Sequence, residues 1–227
     1  MSEAVQRHHV LEPFLARVER RTQADYGVVM EVLPSRGYLN LRGDPNGSGF
    51  LEAVLEVLGQ PLPIAANTFT AGESRVFWLG PDEWLVMTEP GVEKALAARL
   101  EAALAGWPCA LTDLTGGQIC IRLGGRNARD VLAKGSTLDF HPRVFLPGQC
   151  AQTVLGKASV LIALSRAGAD SAVSDDTRAG DEAVLADESG VFDIVVRRTF
   201  ADYAAEWLYR SALEYGATVT VQSVGPM

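Results

Sequence analysis

Along this chain the spacing of apolar residues switches between a period of two and a period near 3.6, and the order of the switches narrows the fold most. Val28 to Leu33 reads as a strand, Pro34-Ser35-Arg36-Gly37 as a turn, and Tyr38 to Arg42 as the return strand. Phe50, Leu51, Val54, Leu55, Val57 and Leu58 recur at helical spacing, and Gly59 stops that helix. Arg75 to Leu79 and Trp84 to Met87 form a hairpin around Gly80-Pro81-Asp82-Glu83, an amphipathic helix runs from Val92 to Leu104, and Ala110 to Leu114 is a further strand. From Gly37 the order is β-α-β-β-α-β, the split βαβ arrangement of ferredoxin-like domains. The order then begins again. Ile119 to Leu123 is a strand, Asn127 to Lys134 a helix, and Ala151 to Val154 with Ser159 to Leu164 a hairpin; strand Phe192 to Arg197, helix Phe200 to Tyr215 and edge strand Ala217 to Val221 follow. The expected fold is α+β, two ferredoxin-like βαββαβ units packed together, spanning residues 26–115 and 116–227.

Two segments stand outside that order. Residues 1–25 form an N-terminal arm, with Leu11, Phe14, Leu15 and Val18 on roughly one face and Pro13 interrupting any long helix. Residues 165–190 have no aromatic side chain and are rich in Ala, Ser, Gly and Asp, so they read as a mobile acidic loop.

With 48% hydrophobic and 21% charged residues, the chain has material for a core, which excludes global disorder. A formal net charge of −8 with dispersed Lys and Arg disfavours nucleic acid and anionic membranes as partners. No stretch approaches the roughly 20 apolar residues of a membrane span, and the polar start lacks a secretory h-region, so the expected compartment is the cytoplasm. Cys109, Cys120 and Cys150 are too widely spaced for a zinc knuckle or disulfide framework and read as small buried hydrophobes. All four tryptophans read as core residues, with Trp84, next to its turn, the one expected to be partly exposed.

The search for chemistry returns little. Gly124-Gly125-Arg126-Asn127 lies between strand and helix, but the spacing is not that of a dinucleotide turn. Gly156-Lys157-Ala158 lacks the hydroxyl and upstream glycine of a phosphate loop. Asp113, within Thr112 to Gln118, has the chemistry to hold an amine or pterin but is the residue type that caps a turn. Asp139 and His141 are a nominal acid–base pair whose spacing suits local structure better. Catalytic, cofactor-binding and metal-binding residues are therefore all expected to be none.

Several blocks together carry a resemblance: Trp78-Leu79-Gly80-Pro81-Asp82-Glu83-Trp84-Leu85, Asp113 to Gln118, Ala128 to Gly135, Leu138-Asp139-Phe140-His141-Pro142, Gly148 to Thr153, and Val196 to Tyr203. In these blocks the chain resembles the gamma subunits of heterotetrameric sarcosine oxidase, over roughly Tyr26 to Gly216; residues 165–190 are the main departure. The resemblance implies an aminomethyltransferase-like fold and a role as an accessory subunit, supporting assembly of a flavoenzyme that oxidatively demethylates sarcosine to glycine. It implies alpha, beta and delta subunits as partners, with FAD, FMN, NAD, tetrahydrofolate and zinc carried by those other chains. The alternatives are a subunit of a related N-methyl amino acid dehydrogenase and a free-standing folate-binding or aminomethyltransferase-like protein. An obligate subunit needs an apolar contact surface. The expected one combines Leu11, Phe14 and Leu15 of the arm with Phe140, His141, Arg143 and Phe145 of the loop that follows the second unit's first helix. The competing reading places these side chains in the chain's own core.

Overall fold

The computed structural model describes residues 9–18, 26–165 and 190–222. Most of the expected mobile loop, and the arm outside residues 9–18, lie beyond the described residues.

Eleven strands form two sheets among the described residues. The first is β3 (Phe69–Ala71), β4 (Arg75–Gly80), β5 (Glu83–Thr88), β2 (Gly37–Gly43) and β6 (Cys109–Asp113), in that order and antiparallel throughout. Two helices, α2 (Phe50–Leu58) and α3 (Glu93–Ala103), cover one face of it. The second sheet has the order β11 (Ala217–Val221), β1 (Val28–Val32), β7 (Gln118–Gly124), β10 (Val191–Arg197), β9 (Ala158–Ser165) and β8 (Cys150–Leu155). Helices α1 (Glu12–Arg17), α4 (Ala128–Ala133) and α5 (Ala201–Ala212) cover its outer face.

The result is a four-layer α/β/β/α arrangement with three cores. Alternation along each strand sends one set of side chains to the helices and the other to the facing sheet. On β7, Ile119, Ile121 and Leu123 join the helix-side core, whereas Cys120 faces the opposite sheet. On β5, Trp84 and Val86 face α2 and α3, whereas Leu85 and Met87 meet the second sheet. Leu33, Tyr38, Phe77, Cys150, Leu161 and Val195 complete the layer between the sheets.

The α+β expectation and the two units are present, but each unit carries one strand more than the βαββαβ order, β3 ahead of β4 and β8 ahead of β9, and one strand is placed elsewhere. β1 does not pair with β2 as the hairpin reading required. It lies in the other sheet, parallel to β11 and antiparallel to β7, wedged between the last and first strands of the second ferredoxin-like unit. Residues 33–36 are an extended crossover rather than a turn, as suits the residue that precedes Pro34. The physical reason is two-sided burial. Val28, Met30 and Val32 contact the helix layer, and Val29 and Leu33 are equally enclosed from the other side. A strand apolar on both faces belongs inside a covered sheet, not at an open hairpin. The unit expected over residues 26–115 therefore contributes its first strand to its neighbour.

Trp84 is not at all exposed, contrary to the expectation for it. Its ring lies 6.2 Å from that of Phe50, and its indole Nε1 donates to the Pro63 carbonyl at 2.8 Å. The loop before β3 closes over it, which the neighbouring turn does not foretell.

Candidate functional site

The side chains expected to meet a partner divide into buried and exposed sets. Leu11 and Phe14 have no exposed surface and belong to the helix-side core, where the Phe14 ring stands edge-on to Tyr209 at 6.0 Å. Leu15 is partly buried against the same core. Phe140 and Phe145 are buried too, packed on Phe192 at 6.0 and 6.3 Å and on each other at 5.5 Å. Arg129 lies over the Phe192 ring at 5.3 Å and donates to the Phe140 carbonyl and, at 3.2 Å, to that of Phe145. Of the expected interface residues in the loop, only His141 and Arg143 are exposed, with Val144 and Leu146 exposed beside them. The phenylalanines are thus anchors that hold the loop down. An apolar side chain without an element of its own reads the same in sequence whether it serves a partner or the chain's own core.

The two polar segments resolve into turns. Asp139 Oδ1 accepts the backbone N–H of His141 at 2.8 Å, and His141 Nδ1 accepts that of Arg143 at 3.2 Å. Both groups are thereby engaged in shaping the loop. Asp113 Oδ1 accepts the Thr115 N–H at 2.8 Å, and the Thr115 hydroxyl accepts the Tyr38 N–H at 3.0 Å. Hydrogen bonds from the Thr115 side chain and backbone hold the Asp113 carboxyl below its ordinary range. The Gly124–Asn127 turn does not fit a pyrophosphate. The Asn127 N–H donates to the Gly27 carbonyl at 3.0 Å, and a Cβ on Gly125 would stand 2.5 Å from that oxygen. The chain's own backbone fills the space that a phosphate would need. Among the described residues no group of three or more His, Cys, Asp and Glu side chains is arranged to hold a metal ion, and no helix is long and apolar enough to cross a membrane.

Sequence reasoning missed a charged group between the sheets. Cross-strand register places Glu31 beside Arg122 and Arg122 beside Asp193. Asp193 has no exposed surface. Arg122 Nε donates to its Oδ1 at 3.0 Å and approaches Glu31 at 3.5 Å, while Arg75 reaches Asp193 from the facing sheet. Arg36, nearer the surface, pairs with Glu89 and donates to the Gln222 side chain at 3.4 Å. Burial lowers Arg75 to about 10, helped by the nearby positive charge of Arg122, so it still carries its proton at neutral pH. The available signal was the single Asp within the apolar run of residues 191–196 in β10 and the Arg residues within β4 and β7, but pairing them requires the topology.

The three cysteines differ from the expectation of uniform burial. Cys120 and Cys150 are buried and Cys109 is exposed on β6. Burial raises both interior thiols, Cys150 from 9.0 to about 12. A thiol that resists ionisation only when folded contributes stability that is intact below pH 9 and is lost as pH rises toward 12. Cys150→Ala is expected to make the loss of unfolding free energy across that window shallower by up to about 1.4 kcal/mol per pH unit, the slope of one proton. Urea titrations of both proteins at pH 8 to 11 check this, and parallel slopes would remove Cys150 as the cause.

Strand β6 is the most open edge. Four of its five residues are exposed, and cavities of about 350 and 550 Å³ adjoin it. Leu100, Leu104, Trp107 and Leu111 line the first, beneath α3, with Glu101 also present; Arg42, Asp44, Asp82 and Ala110 line the second.

With this geometry in hand, comparison with known proteins is specific. Residues 42–179 match the family described as "Sarcosine oxidase, gamma subunit family". The chain is 30% identical over 173 residues to sarcosine oxidase subunit gamma of Corynebacterium sp. (strain P-1), covering 75% of this chain and 73% of that one. The Arthrobacter sp. counterpart is 33% identical over 137 residues, 60% and 66% of the two chains. Among solved structures, a chain of heterotetrameric sarcosine oxidase from Corynebacterium sp. U-96, in complex with pyrrole 2-carboxylate, superposes with a TM-score of 0.74 at 26% identity, over 93% of this chain and 97% of that one. Glycine cleavage system aminomethyltransferase T from Bartonella henselae superposes with a TM-score of 0.57 at 17% identity, over 86% and 48%. That second likeness concerns the fold alone and agrees with the aminomethyltransferase-like expectation.

Proposed function

The chain belongs to the sarcosine oxidase gamma subunit family, and from that premise we propose that it is the accessory subunit of a heterotetramer with alpha, beta and delta chains, whose reaction is the oxidative demethylation of sarcosine to glycine. The observation that carries the proposal is the superposition over nearly the whole length of both chains on a subunit of such an assembly. FAD, FMN, NAD, tetrahydrofolate and zinc are assigned in this reading to the other chains, and the expected place of work is the cytoplasm. This chain's part is to fold into a rigid four-layer body and offer its exposed edges and loops to its neighbours. The blocked Gly124–Asn127 turn and the turn-capping roles of Asp113 and Asp139 support that division of labour. A free-standing folate-binding protein has less support, because the match to aminomethyltransferase T spans 48% of that chain.

Expression of a tagged copy with the alpha, beta and delta chains encoded in the same genome tests the proposal. Equimolar recovery of all four, with flavin absorbance and sarcosine-dependent oxidation in the complex and neither in the isolated chain, is the expected result. Stoichiometric flavin on the isolated chain, or failure to recover the other three, would overturn it. A panel of N-methyl amino acids assayed on the same complex separates sarcosine from related substrates.

A further inference from the structure

The four sheet edges differ in what they leave open. β3 is 3 residues long and tied to the other half of the molecule, where the Phe69 N–H donates to the Gly148 carbonyl at 3.1 Å. β8 is tied across by the Gln152 side chain, which donates to the Leu79 carbonyl at 2.9 Å. β11 is at least half-buried at four of its five positions. β6, Cys-Ala-Leu-Thr-Asp, is exposed at four of five; Pro108 precedes it and Asp113 ends it, and between them it has no Lys, Pro or bulge.

Its hydrogen-bonding phase follows from one contact. The Leu114 N–H donates to the Tyr38 carbonyl at 2.8 Å, and the register pairs Thr112 with Asn40 and Ala110 with Arg42. In an antiparallel ladder this alternation turns the N–H and C=O groups of Ala110 and Thr112 toward β2, and those of Cys109, Leu111 and Asp113 outward. The same alternation puts Cys109 and Leu111 on the α3 side, where Glu101, Trp107 and Leu111 border a cavity of mixed polar and apolar lining. The surroundings are mostly acidic: Glu101, Asp44, Asp82 and Asp113 stand around this edge, with Arg42 paired with Asp82 at 3.1 Å and Lys94 near Asp113. An open ladder beside an excess of carboxylates specifies an occupant of complementary character.

We propose that β6 receives an extended segment of a neighbouring subunit by strand addition, with Lys or Arg residues of that segment facing the carboxylates around the edge. The inference rests on the assembly reading above and deepens it, because it names the contact edge and the chemistry of the segment that meets it.

Cys109 and the outward amides report on this contact without any substitution. In the isolated full-length chain, N-ethylmaleimide is expected to label Cys109, which is exposed, ahead of Cys120 and Cys150, which are buried. In the assembled complex, Cys109 labelling is expected to slow at least 10-fold. The Leu111 and Asp113 amides are expected to exchange freely in the isolated chain and to become protected in the complex in residue-resolved hydrogen exchange, while Ala110 and Thr112 stay protected in both. Leu111→Pro removes an outward N–H and no bond to β2, and is expected to lower recovery of the other chains at least 10-fold with native circular dichroism. Unchanged Cys109 labelling and unchanged Leu111 exchange in a complex that does form would overturn the proposal while leaving the assembly reading intact. Slowed labelling with unprotected amides would also overturn it, since it shows a side-chain contact and no added strand. If the wild-type chain recovers no other subunit, the assembly reading fails and this proposal fails with it.

Discussion

Asp193→Ala is expected to lower the unfolding free energy by about 3–5 kcal/mol, the cost of opening a buried charge pair from one side. Asp193 has no exposed surface and is shared by Arg122 of its own sheet and Arg75 of the facing one. Its removal takes from two guanidinium groups the carboxylate that lies between them. Arg122 keeps Glu31 nearby at 3.5 Å, so the larger loss falls on Arg75. Burial has already lowered Arg75 to about 10, and the group cannot shed its proton near neutral pH to relieve the strain. Removing both members of the pair should cost less than removing one, because no charge is then left behind. The double variant Arg75→Met, Asp193→Ala is therefore expected to recover a large part of the loss. Urea unfolding of the two single variants and the double variant measures the coupling directly. A loss below about 1 kcal/mol for Asp193→Ala, or additive effects in the double variant, would show that the two sheets are not joined by this charge.

This joint also marks how far the sequence could be read. Local patterns gave the helices and two of the three expected hairpins, but neither the placement of β1 nor the short strand β3. Val92 to Leu104 was read as a helix and α3 spans Glu93–Ala103; the hairpin around Gly156-Lys157 is β8 and β9. What local patterns could not give was which sheet a strand joins. Val28 to Val32 has the same apolar period whether it returns on Tyr38 or crosses to Ala217, because both faces of β1 are covered. The Glu31–Arg122–Asp193 row depends on that crossing, so it was invisible until the topology was known. Family membership was legible because it rests on blocks of residues in order, which do not require the fold. The orientation of the 138–146 loop was half legible: His141 and Arg143 do face outward, but its aromatic residues do not. Hydrophobicity in a loop states that a side chain will be buried, not by which chain.

For that reason Phe140→Asp is expected to unfold the isolated chain rather than merely to release a partner. Phe140 fills a cluster with Phe145 and Phe192, its edge-on contacts at 5.5 and 6.0 Å, and it belongs to the core beneath α1, α4 and α5. Truncating a buried Phe costs about 3–5 kcal/mol, and a carboxylate in its place adds the cost of burying a polar group without a partner. Most single domains have about 5–15 kcal/mol in total, so this one change removes much of the margin. A fall in melting temperature of about 10 °C or more follows for a chain of this size. Val144→Asp is the matched control, because Val144 is 54% exposed four residues further along the same loop. It should leave circular dichroism and melting unchanged, so any effect of Val144→Asp on recovery of the other subunits reports on contact alone. The Leu11 and Phe14 positions obey the same logic, since both are fully enclosed and Phe14 packs on Tyr209. An isolated Phe140→Asp chain that keeps its native spectrum and melting temperature yet no longer assembles would reverse the assignment and return the loop's aromatic residues to the interface.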